Sequence, residues 1–208
     1  QSAESHLKAI IRGDSRNARA YGDMGVIMAK SGNFERAIEN FRRALDLQPG
    51  DPDFQINLAN ALLETGDFDG AIARYERLLE QGPRSVLARF YLGLTHQRKG
   101  DHDEAIAQFR QATEISPEFA EARVNLVSAL IQTGRTKLAE TEARQTPDNA
   151  LAHTALAGVL LRTEKSGEAL EAADRALSLD PGMEKAADIR AEALDEVEAA
   201  EAAKPGAE

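Results

Sequence analysis

The sequence predicts an all-α chain built from repeated helix pairs, on three observations. Glycine recurs every 34 residues, at Gly32, Gly66, Gly100 and Gly134. Alanine keeps the same interval at Ala37, Ala71, Ala105 and Ala139, as proline does at Pro49, Pro83 and Pro117. Among the 208 residues, Ala, Leu, Glu and Arg dominate and aromatics make up only 5%, a mix that favours helix over strand. A fixed period of this length marks an array of supersecondary units, each too small to bury its own apolar face. The next in-phase proline and alanine, Pro147 and Ala169, follow after 30 residues, and Pro181 restores the interval. The units are therefore set at 18–51, 52–85, 86–119, a shortened 120–149, and 150–183.

Taken in order, residues 1–17 come first as the second helix of a preceding, truncated unit. Ala3, Leu7 and Ile10 are its expected inward residues, which implies an earlier helix beyond residue 1. Each unit from 18 onward reads as helix, turn, helix. The first helices carry apolar residues at helical spacing, such as Ile56, Leu58, Ala59, Leu62 and Leu63. Glycine closes each of the first four in the manner of a left-handed cap, while Glu164 holds that place in the fifth. Asn33, Asp67 and Asp101 stand ready as N-caps, and Asp101 with Glu104 resembles a capping box. The second helices are expected to bury Ala37/Phe41/Ala44, Ala71/Tyr75/Leu78 and Ala105/Phe109/Ala112. Proline, with no N–H to donate, ends the pair. In the fourth unit the second helix, Thr136 to about Gln145, loses its last turn, and Gln145 stands where other units have Leu47, Ile115 and Leu179. That unit is the expected weak point. Residues 184–208 form a capping helix, with Ala187, Ala191 and Leu194 expected inward, and an acidic tail.

These residues resemble the tetratricopeptide repeat family. Its pattern places large, small and aromatic residues as Tyr21, Met24, Gly25, Met28, Ala37, Phe41, Ala44 and Pro49 stand in the first unit. Arg89, Leu92, Gly93, His96, Ala105, Phe109, Ala112 and Pro117 repeat it in the third, and His153, Leu156, Ala157, Leu160, Ala169, Ala173, Ala176 and Pro181 in the fifth. The resemblance implies a right-handed superhelical solenoid of antiparallel helix pairs. It also implies a groove lined by the first helices and a partner that is another protein, met as a peptide or helix.

Chemistry beyond binding finds no support in the residues. Lys and Arg number 25 against 35 Asp and Glu, a net charge of −10, the wrong sign for nucleic acid or an anionic membrane surface. No apolar run approaches the ~18–20 residues of a membrane span. The chain has no cysteine, and His6, His96, His102 and His153 have no partner at metal-ligand spacing. No phosphate-binding loop is present. The reading is a non-enzymatic module that needs no cofactor. By resemblance it is bacterial, with cytoplasm and periplasm both compatible.

Within the implied groove, Leu87, Phe90, Tyr91 and Leu94 line one helical face while Leu92 and Gly93 serve the core from another. A helix apolar on two faces needs a second burial partner, so these four are candidate anchors. Asn57, Asn60 and Asn125 offer both donors and acceptors for an extended peptide backbone. Family members that transfer sugars line their superhelix with Asn at the place of Asn57 and Asn125, but Asp23, Tyr91 and Ala155 break the ladder. Arg98, Ser128 and Arg162 complete the candidate lining. The chaperone-binding carboxylate clamp of the family is not matched, since Ile56, Tyr91, Glu121 and Asn125 stand where its other residues would be. Two alternatives accompany the groove reading: self-assembly through the half-repeat N-terminus, and the recognition arm of a larger enzyme.

Overall fold

The computed structural model describes residues 3–145 and 149–203. Ser2, Pro147 and the tail Lys204–Glu208 lie outside the described residues. The described residues are α-helical with no strand, and the chain divides into two compact units, 1–108 and 109–208.

The first unit contains α1 (Ala3–Gly13), α2 (Ala18–Lys30), α3 (Phe34–Leu47), α4 (Pro52–Glu64), α5 (Phe68–Gln81), α6 (Val86–Lys99) and the start of α7 (His102–Ile115). Each helix from α1 to α5 packs on the next, and α2, α4 and α6 also touch in series. The first helices thus stand side by side, with the second helices behind them. Small residues make this possible. A Cβ on Gly25 would come within 2.6 Å of the Phe41 ring, and one on Gly22 within 2.3 Å of Phe54. Aromatic bulk on one helix sits where its neighbour has none: Phe41, Phe54 and Tyr75 are all buried.

Local signals in this unit are well satisfied. Asn17, Asn33 and Asp67 accept the backbone N–H three residues on, and Asp51 accepts from both Asp53 and Phe54. Ser85 does the same for Ala88. Gly32 and Gly66 adopt φ of 75° and 80°, which lets the following N–H turn back onto the helix end. Asn33 N donates to Met28 O and Asp67 N to Leu62 O, both at 2.9 Å.

The second unit contains α8 (Ala120–Gln132), α9 (Thr136–Arg144), α10 (Ala150–Arg162), α11 (Ser166–Leu179) and α12 (Glu184–Ala202). Neighbours pack in sequence, and α10 also touches α8 and α12. The plan is the same but the material differs. Apart from Phe109 at its start, its core is largely alanine and branched aliphatics: Leu126, Val127, Leu130, Ala139, Ala143, Leu160, Ala173 and Ala176 are essentially inaccessible. Arg135 and Lys165 precede α9 and α11 without a side-chain cap, as Phe119 and Met183 precede α8 and α12, and only Asn149 caps, through Ala152 N at 2.9 Å. Glu164, in the place of glycine, is forced to φ 58°, a left-handed conformation costing an L-residue about 1–2 kcal/mol.

A further device recurs in both units. The residue at the fourth place of the repeat reaches back six residues to the proline carbonyl of the preceding turn. Gln55 Nε2 donates to Pro49 O at 3.1 Å, Arg89 to Pro83 O at 2.7 Å and Arg123 to Pro117 O at 3.3 Å. Proline thus ends one pair and its carbonyl anchors the next.

Two expectations for the terminal helices need correction. On α12 the buried residues are Ala186, Ile189 and Ala193, whereas Ala187 and Ala191 are exposed and Leu194 is half-buried. The helix is rotated because α10 and α11 cover one side of it and no later helix among the described residues covers the other. Ile189 takes the space above Gly158, its Cδ1 3.5 Å from where a Cβ there would stand. On α1, Ala3 is exposed while Leu7 and Ile10 are half-buried. Among the described residues α2 is the helix that chiefly covers it, and none of its residues is fully enclosed.

Candidate functional site

The candidate residues lie on the first helices, and the two units are taken in turn. In the first unit, Asn57 is half-buried in a cleft with Arg19, Asp23, Val26, Asp53 and Ile56. Three carboxylates line it, since Asp51 joins Asp23 and Asp53. Arg19 lies 3.5 Å from Asp23, so this end is polar and largely acidic.

Asn60 is drawn elsewhere. Tyr75 Oη donates to its Oδ1 at 2.6 Å. Tyr75 is fully enclosed. Burial first, then the neighbouring Tyr91 and Glu64, push its hydroxyl well above the ordinary phenol range, so it stays protonated and keeps donating. Tyr91 stacks on Tyr75 with centroids 6.1 Å apart and planes 12° from parallel, and Phe90 meets Tyr91 edge-on at 5.4 Å. Tyr91 packs against the buried core. Asn60, Tyr75 and Tyr91 therefore form one column linking α4, α5 and α6. Phe90 and Leu94 are half-buried, and Leu87 is 53% exposed. Of the four apolar candidates, Leu87 is the most open and Tyr91 the most committed to the fold. Arg98 donates to Glu64 at 2.9 Å, joining the same place of two successive repeats.

In the second unit, Asn125 turns back along its own helix, its Nδ2 donating to Glu121 O at 2.8 Å. Ser128 and Arg162 line a cleft of about 450 Å³ on the faces of α8, α10 and the start of α12. Val124, Ile131, Leu151, Ala155 and Gly158 give it an apolar lining, and Leu151 is 55% exposed. Lys185 and Met183 complete its rim. Neither Arg162 nor Lys185 pairs with a carboxylate among the described residues. Lys185 is not among the residues expected from the sequence, although it stands at the same place in its helix as Asp53 and Leu87 do in theirs. That register was the available signal.

No group of three metal-ligating side chains gathers among the described residues, and no helix there is long and apolar enough to cross a membrane.

Family models described as tetratricopeptide repeat match residues 56–118 and 135–184 and residues 97–154. One described as TPR repeat matches 25–66. No curated protein matches the chain. Among solved structures, YrrB, described as a TPR protein with an unusual peptide-binding site, is 20% identical at a TM-score of 0.66, over 91% of this chain and 100% of that one. TTC0263, a TPR protein of Thermus thermophilus, is 23% identical at a TM-score of 0.58, over 86% and 98%. MamA of AMB-1 is 27% identical at a TM-score of 0.64, over 81% and 94%.

Proposed function

Since the chain belongs to the tetratricopeptide repeat family, whose fold is that of a protein-interaction scaffold, we propose that it binds a partner protein without catalysis. The partner offers a peptide or helical segment, held along the face of the first helices. The observation that carries this reading is the cleft of the second unit. Val124, Ile131, Leu151 and Ala155 expose an apolar surface there, and two unpaired cations, Arg162 and Lys185, border it. An apolar lining with few polar groups is what a binding cleft needs for affinity and orientation. The segment that fits inserts an aliphatic or aromatic side chain and places carboxylates toward Arg162 and Lys185. The first unit, by itself, offers Leu87 and Phe90 on its own first-helix face, with Asn57 as a free polar contact. YrrB shares the fold and is described as having a peptide-binding site, and this reading gives the present chain a comparable role on its own residues.

A random peptide display library panned on the full chain tests the reading. Acid-flanked apolar peptides should be enriched on the wild type and lost on Leu151→Glu with Arg162→Glu, both exposed positions that leave the helical spectrum unchanged. Equal enrichment on wild type and variant, or none on either, would overturn it.

A further inference from the structure

Away from the face of the first helices, one cleft between the second helices of the first unit is rich in cations. Arg42 on α3 and Arg74 and Arg77 on α5 gather around a cleft of about 560 Å³ beside Leu45, Pro49 and Leu58. None of the three guanidinium groups pairs with a carboxylate among the described residues. Asp46, at the rim, lies 3.9 Å from Arg43 instead. The equivalent cleft between α9 and α11 shows what balance looks like. There Arg144 donates to Glu168 at 2.7 Å, with Glu171 beside Arg175 on the same lining. A chain of net charge −10 thus gathers three arginines against a single carboxylate, Asp46, in one cleft.

The complementary surface is on α12. Its packed side is satisfied: Arg190 meets Asp174 at 2.5 Å, and Ser166 bonds to Glu196. Its other side is not covered among the described residues. There Ala187, Ala191 and Leu194 follow one another at i, i+4 and i+7, with Asp188, Asp195 and Glu198 exposed along the same stripe. None of these three acids pairs with a cation among the described residues. Arginine forks match carboxylates bidentately, and the small alanines allow close approach.

We propose that α12 of one copy docks in the arginine cleft of a second copy. Asp188, Asp195 and Glu198 meet Arg42, Arg74 and Arg77, and Leu194 packs beside the exposed Pro49. The two patches differ, so the contact is heterologous and joins copies head to tail. It differs from stacking through the N-terminal half-repeat, because it uses neither α1 nor its exposed face. Three charge pairs at the surface, with Arg42 and Arg77 exposed and Arg74 half-buried, make a weak, salt-sensitive contact.

Sedimentation velocity of the full chain across a concentration series tests it. At about 50 mM salt the sedimentation coefficient should rise with concentration, and at about 500 mM the association constant should fall at least tenfold. R42E/R74E/R77E and D188K/D195K/E198K should each be monomeric with an unchanged helical spectrum. Mixing the two folded variants should restore association, because the signs are reversed on both sides. A wild type that stays monomeric throughout overturns the proposal. So does association indifferent to either set, or a mixture of folded variants that stays monomeric.

Discussion

The two units share one plan and hold it with different means. In the first, Asn17, Asn33, Asp51, Asp67 and Ser85 cap helix after helix, and Phe41, Phe54 and Tyr75 fill the spaces between them. In the second, four of the five helices start without a side-chain cap. Phe109 is its one fully buried aromatic among the described residues, alanines fill much of the rest of the core, and Glu164 sits in a conformation that glycine occupies elsewhere. A cap contributes roughly 1 kcal/mol, and aromatic side chains bury far more area than alanine. In an array held by nearest-neighbour interfaces these differences stay local. The second unit should therefore be the less stable one, with its clefts on the more yielding scaffold.

Breaking the aromatic column of the first unit gives the largest expected effect. Tyr75→Ala removes a fully enclosed ring, its stacking on Tyr91 and its bond to Asn60, and should cost about 3–5 kcal/mol in denaturant unfolding. Tyr75 also sets an alkaline limit. Its folded pKa lies above the ordinary 10.0, so its contribution is complete below that value and is lost as pH rises beyond it, once the unfolded chain ionises first. Tyr75→Phe should show a shallower loss of stability above pH 10 than the wild type.

Next in size is Arg123→Ala, in the second unit. Arg123 is buried and donates to Glu142 at 3.2 Å, Gln145 at 2.8 Å and Pro117 O. Removing it leaves Glu142 without its partner and releases α9, a loss of about 3 kcal/mol, measured by thermal or chemical unfolding. A change no larger than that of an exposed substitution such as Lys137→Ala would show that α9 is held by its apolar face alone.

The smallest effects sharpen the comparison by making the second unit more like the first. Arg135→Asp supplies the missing cap of α9 and should add about 1 kcal/mol. Glu164→Gly removes the left-handed strain and should add about 1 kcal/mol. Unfolding transitions that stay put or move down would indicate that caps and turn strain do not distinguish the units.

The helix pairs were legible because glycine, alanine and proline act locally: a turn, a close approach and a stop each need one residue type at a fixed offset. Side-chain pairing between helices was not legible. Asn60 has the register of a peptide contact, yet Tyr75, fifteen residues away, claims its acceptor. Tyr91 has the spacing of a surface anchor but stacks on Tyr75. Gln145 reads as a defect in an apolar place, and becomes sensible only because Arg123 needs an acceptor there. The packed face of α12 was misjudged because the repeat pattern assumes a following helix, and Ile189 followed the cover that α10 and α11 provide. Among the candidates, Leu87, Asn57, Ser128 and Arg162 keep side chains available on the expected face, whereas Arg98 and Asn125 have partners within the chain.

Native-state hydrogen exchange, read helix by helix, addresses the difference between the units most directly. Exchange reports local opening, and the least supported helices open first. Amides of α9 (136–144) should exchange fastest among the internal helices and those of α11 next, while α3 and α5 remain protected longest. Equal protection of α3, α5, α9 and α11, or slower exchange in the second unit than in the first, would contradict it.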